Sequence, residues 1–117
     1  MTYCVAISVK AGMVFCSDSR TNAGVDQVST YSKMFRFELG SERQFVVMTA
    51  GNLATSQATI AHLKKDLKQQ SAVSLATVSS IGDAADYLGE ISRTQIEKHG
   101  TTGQSFTASY ILGGQIA

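Results

Sequence analysis

The hydrophobic pattern of this chain changes period at Gly51, and that switch limits the folds open to it more than any other feature. Before it, "SKMFRFEL" sets Phe35, Phe37 and Leu39 on one side and Met34, Arg36 and Glu38 on the other, a period of two that predicts a half-buried strand. "GSER" turns that strand into "QFVVMTA", residues 44–50, whose near-continuous apolar run predicts a strand buried on both faces. After Gly51, Leu53, Ile60, Leu63 and Leu67 fall on one helical stripe, with Asn52 placed to cap it and the lysines of "KKDLKQQ" suited to a helix C-terminus. A second helix is predicted over residues 80–98 from Ile81, Ala84, Ala85, Leu88, Ile91 and Ile96. Ser80 with Asp83 resembles a capping box, and Gly100 is placed as the stop.

The flanks return to strand. "TYCVAISV" and "MVFCSDS", joined by "KAG", predict a hairpin with Asp18 at the end of its second strand, and "SFTASYIL", residues 105–112, alternates again before a Gly113–Gly114 turn. One sheet built from residues 13–19, 32–39 and 44–50, covered on one face by the two helices, follows from this order. The fold class is α+β.

Charge removes several functions. Ten Lys and Arg against nine Asp and Glu give a net charge of +1, which supplies no field to recruit nucleic acid or an anionic membrane. No apolar run reaches the ~18 residues of a span, and "MTYCVAISVK" lacks the form of a secretory signal, so a cytoplasmic location is expected. Cys4 and Cys16 are expected as reduced, half-buried thiols. His62 and His99 stand on helices without a second ligand at metal spacing, so no metal and no cofactor is expected.

Taken singly, a Met-Thr start, an aspartate, a lysine and a helix-entry glycine are ordinary. Their order is not. The Thr2 start, "SDSRTNAG" closing the second strand, "SKMF" opening the next and "MTAGN" leading into a helix together resemble the proteasome β-subunit lineage of N-terminal nucleophile hydrolases. Within it, "MTYCVAI", "SDSRTNAGVDQVSTYSKMF" and "MTAGNLATSQ" are most similar to the bacterial Anbu, or ancestral β-subunit, family. The resemblance runs along the whole chain and implies the αββα four-layer sandwich, of which the strands, two helices and final strand form about the N-terminal half. Residues 1–117 are accordingly expected to be a single proteasome-type peptidase domain truncated at its C-terminus.

The resemblance also assigns roles. Thr2, exposed by removal of Met1, would be a threonine nucleophile whose own α-amine, with a reference pKa of about 7.7–8.0, serves as base. Lys33 matches the family's catalytic lysine, whose charge disfavours the ammonium form of that amine, and Asp18 would hold Lys33. Gly51 matches the glycine whose backbone N–H stabilises the oxyanion. Arg20, Asn22 and Gly24 match the loop that pairs with extended substrate. The implied function is a threonine-type endopeptidase in a self-compartmentalised homo-oligomer acting on peptides or unfolded protein, with an ATPase partner left open. The alternatives are a catalytically silent ring subunit and an amidohydrolase acting on a small amide.

Overall fold

The computed structural model describes residues 3–18, 20–22, 28–30, 33–99 and 107–116. Its elements run β1 (Cys4–Val9), β2 (Gly12–Ser17), β3 (Arg20–Asn22), β4 (Val28–Thr30), β5 (Met34–Leu39), β6 (Arg43–Gly51), α1 (Leu53–Lys68), α2 (Ile81–His99) and β7 (Ala108–Ile116). β5, β6 and β7 form an antiparallel sheet in that order, with Phe37 opposite Phe45 and Val47 opposite Leu112.

The period-two reading of residues 34–39 holds in three dimensions. Phe37, Phe45 and Val47 turn to the helices and join Ile60 and Leu63 of α1 and Ala84, Leu88 and Ile91 of α2 in one buried cluster, with Phe35, Leu39, Leu112 and Ile116 packed at its edge. The segment between the helices closes the end of this core. Leu75 and Val78 are buried in it, and Arg43 donates from Nη1 to the carbonyls of both, at 3.1 and 2.6 Å. Sequence reasoning gave that segment no role, because two apolar residues three apart in a Ser/Thr-rich stretch carry no period.

Both helix starts are capped by their expected residues. The Asn52 side chain accepts from the Thr55 N–H at 3.0 Å, and Ser80 Oγ accepts from the Asp83 N–H at 3.1 Å. The Asp83 carboxylate does not return to Ser80 to complete a capping box; it accepts from Ser79 Oγ instead.

The single sheet expected from residues 13–19, 32–39 and 44–50 is not what forms. β1 and β2 make their own two-stranded sheet, Cys4 opposite Ser17 and Val9 opposite Gly12, which packs on the face of β6 and β7 away from the helices. Strand periodicity identifies which residues share a face and says nothing of which strands pair across long sequence separation. The layers are therefore helices, three-stranded sheet, hairpin.

Contact between the last two layers explains the two glycines expected as a turn. Gly113 and Gly114 lie inside β7: a Cβ on Gly113 would stand 2.6 Å from the Phe15 ring, and one on Gly114 would strike the Gln44 carbonyl at 2.1 Å. They are a flat seat for a ring and a neighbouring backbone rather than a loop. β7 also begins at Ala108, later than the expected Ser105.

A further departure is the short antiparallel pair β3–β4, Arg20 opposite Thr30, where a loop was expected. Among the described residues no helix is long and apolar enough to cross a membrane. Both cysteines are free, Cys4 half-buried as expected and Cys16 exposed, because its strand position turns it outward with Val5 and Val14.

Candidate active site

The open end of the β1–β2 hairpin meets the edge of the three-stranded sheet where β5 begins and β6 ends. Tyr3 and Asp18 extend the hairpin by one pair: the Asp18 N–H donates to the Tyr3 carbonyl at 3.0 Å, and the Tyr3 N–H donates to Asp18 Oδ1 at 3.2 Å. The aspartate is thus fixed at both backbone and side chain.

Lys33 stands just before β5, tied to β6 by the Thr49 N–H, which donates to its carbonyl at 2.8 Å. Its Nζ donates to the same Asp18 Oδ1 at 3.0 Å, and its side chain is only 9% exposed against 35% for Asp18. A cation that far out of water needs an anion at contact distance, and the hairpin supplies it. The Lys33 hydrogen bond, with that of the Tyr3 N–H, holds the Asp18 carboxyl below its usual range, so Asp18 is an anion at neutral pH.

Cys4 belongs to this cluster although sequence reasoning read it only as a thiol. Its Sγ lies 3.8 Å from the Thr49 carbonyl, which it faces as a weak donor. Burial pushes the thiol pKa up and the Asp18 carboxylate adds to that, with Lys33 opposing. A neutral thiol there is a packing group, not a nucleophile. The available signal was its position one residue beyond Tyr3 on the inward-facing side of the hairpin.

Gly51 closes β6 two residues past Thr49. Its φ of +96° lies in the region glycine adopts freely, and a Cβ there would meet the Thr107 carbonyl oxygen at 2.7 Å and Ala108 Cα at 3.0 Å. The Asn52 N–H donates to the same Thr107 oxygen at 2.9 Å, so the strand-to-helix corner is pinned by β7 on one side and the cap of α1 on the other. A groove of about 320 Å³ opens beside the corner, between Phe35, Thr49 and the α1 ridge of Leu53, Ser56, Gln57, Ile60, Ala61 and Lys64. Nothing in the sequence analysis located it, because its walls come from two strands and a helix.

The structure brings Asp18 and Lys33 into contact and sets Gly51 on the same end of the sheet. Thr2 and Gly24 lie outside the described residues. Arg20 and Asn22 lie on β3, opposite Thr30 and Val28, and their side chains are outside the described set. His62, expected as a solvated histidine, is partly exposed and sits 3.3 Å from Asp66 Oδ2, which also accepts from the Tyr87 hydroxyl at 2.5 Å. That network ties α1 to α2 away from the Lys33 cluster. Among the described residues no group of three or more His, Cys, Asp or Glu is placed to hold a metal.

No protein-family model matches the sequence, and no curated protein does. Solved structures do. The Anbu complex from Pseudomonas aeruginosa, described as a helical assembly, is 40% identical with a TM-score of 0.91, over 100% of this chain and 49% of that one. Anbu from Yersinia bercovieri is 40% identical with a TM-score of 0.89, over 99% and 48%. An Anbu (Gly-1) mutant from Hyphomicrobium sp. strain MC1 is 37% identical with a TM-score of 0.88, again over 99% and 48%. With its helix-covered sheet and packed hairpin, the chain is similar to Anbu, the ancestral β-subunit, and spans about half the length of the structures it matches.

Proposed function

We propose that this chain carries the nucleophile and the charge pair of a threonine-type endopeptidase subunit. The observation that supports it is the buried Lys33 ammonium held 3.0 Å from Asp18, an aspartate that also accepts the N–H of Tyr3, the residue bonded to Thr2. In this reading removal of Met1 frees the Thr2 α-amine, and the Lys33 charge keeps a larger share of that amine unprotonated near neutral pH. The amine takes the hydroxyl proton as Thr2 Oγ attacks the scissile carbonyl carbon. The tetrahedral oxyanion forms at the Gly51 N–H and collapses to an ester on Thr2, the proton leaving with the amine product. Water then hydrolyses the ester by the same proton path in reverse, releasing the acid product and restoring Thr2.

The groove beside Thr49 takes the side chain that precedes the scissile bond, so the substrate is an extended peptide or unfolded protein segment. The Pseudomonas aeruginosa relative, a helical assembly, supports a homo-oligomer in which such sites face a shared space.

The test is intact mass and turnover of the full-length protein before and after a threonine-directed electrophile. One adduct on the Met1-less chain, absent from Thr2→Ala together with all hydrolysis, is the expected result. Hydrolysis that survives Thr2→Ala overturns the assignment. Lys33→Ala should cost at least ~100-fold in rate, on the scale of a misplaced or mistuned catalytic group, and move the pH profile alkaline.

A further inference from the structure

We infer that the groove beside Thr49 selects a side chain with an apolar stem and an anionic end, and that Lys64 reads the charge. The inference rests on the peptidase reading for what enters the groove. Its own basis is the groove's chemistry. Leu53 lies two residues past Gly51 and Lys64 lies eleven residues further along α1, so the ridge runs about 16 Å away from the strand-to-helix corner at 1.5 Å per residue. Phe35, Leu53 and Ile60 give the groove apolar walls along this length.

Lys64 stands at the far end of the ridge, and its ammonium lies 5.6 Å from the centre of the Phe35 ring, over the aromatic wall. Among the described residues no ion pair involves Lys64 and no carboxylate lines the groove. Size is a weak selector here, since about 320 Å³ exceeds the roughly 150 Å³ that holds benzene in an engineered cavity. Charge is therefore the discriminating property. A glutamate whose methylenes lie along Phe35 and Leu53 turns its carboxylate toward the Lys64 end of the groove, where the potential is positive, and a lysine or arginine there meets a like charge.

The experiment uses the full-length assembled protein, its Lys64→Glu and Lys64→Arg variants, and three fluorogenic peptides that differ only in the residue before the scissile bond: Glu, Leu as uncharged reference, and Lys. Binding of the corresponding product peptides is measured by fluorescence anisotropy, independently of turnover. The parent should favour Glu over Lys in both readouts, Lys64→Glu should shift that ratio toward Lys by about tenfold, as expected of one exposed charge reversed, and Lys64→Arg should keep it. Turnover with a Glu-to-Lys ratio unmoved by Lys64→Glu overturns the inference and leaves the peptidase reading standing. Charge-selective binding that follows Lys64, without any turnover, supports the inference and overturns the peptidase reading. Absence of both binding and turnover overturns both.

Discussion

The helix side of the three-stranded sheet and the outer face of the β1–β2 hairpin carry the same kind of sequence and meet opposite fates. Phe45 and Val47 are 1% and 0% exposed, whereas Ile7, Val9 and Val14 are 51%, 53% and 57% exposed. Both sets alternate along a strand, so both gather on one face. What differs is cover. The core strands β5 and β6 lead directly into α1, whose apolar stripe folds back onto them, and the hairpin has no such neighbour among the described residues. Periodicity sets which side chains stand together, and burial depends on what is laid over them. Contiguous exposed apolar side chains on a sheet favour association with another surface.

The largest effect that sharpens this contrast is on stability. Phe45→Ala should cost about 3–5 kcal/mol, as for other fully buried aromatic truncations, and Ile7→Ala only about 0.5 kcal/mol, both read from denaturant melts of the 117-residue chain. A cost for Ile7→Ala near that of Phe45→Ala would mean the hairpin's outer face is covered in solution. Light scattering gives the complementary measurement: Val14→Glu should reduce self-association of this chain, with Phe45→Ala increasing it.

A second pair of substitutions compares the glycine at the entry to α1 with one in the middle of α2. Gly51→Ala forces a side chain into a left-handed backbone and against the Thr107 carbonyl at 2.7 Å, where the obstacle is backbone leading into β7 and cannot rotate away. It should cost about 1–3 kcal/mol. Gly89→Ala, on an exposed turn of α2 with nothing within 4 Å of the new methyl, should stabilise the protein by about 0.5–1 kcal/mol through helix propensity and a stiffer unfolded chain. Equal effects at the two sites would show that the Gly51 corner relaxes freely, which would remove the reason for a glycine there.

The helical layer was legible because its signals are local. Caps at Asn52 and Ser80 and stripes through Leu63 and Leu88 depend on residues a few positions apart. The strand layer was legible only in part, since the pairing of β7 with β6 joins Val47 to Leu112 and the hairpin's placement depends on Phe15 finding Gly113. Neither contact leaves a trace in any short window. The candidate site belongs to the second kind. Asp18 and Lys33 are fifteen residues apart in the chain with no periodic relation, and physical reading of either alone gives a surface charge. Their pairing was expected from the order of motifs in a resembling family, and the two side chains stand 3.0 Å apart. The groove, assembled from β5, β6 and α1, had no linear signature.

The remaining prediction concerns that charge pair, where a half-exposed hairpin end meets a buried sheet edge. Asp18 is held below its ordinary value first by the Lys33 hydrogen bond and then by the Tyr3 N–H, so at mildly acid pH the folded protein binds fewer protons at this position than the unfolded chain. Its contribution to stability is therefore complete above the unfolded carboxylate value of about 3.9 and is lost as pH falls through the lower, folded value. Asp18→Asn removes the anion at every pH and leaves the Lys33 ammonium, 9% exposed, with no carboxylate at 3.0 Å. The parent should be the more stable of the two at pH 7, and the gap should begin to narrow near pH 4 and close as pH falls through the lower, folded value, where a protonated aspartate resembles the asparagine. Because Asp18 is about a third exposed, added salt should narrow the gap at pH 7 as well. Denaturant midpoints for both proteins between pH 7 and pH 2.5 test this, and a gap that stays constant across the series would mean that the Asp18 carboxylate contributes through its shape and hydrogen bonds rather than through its charge.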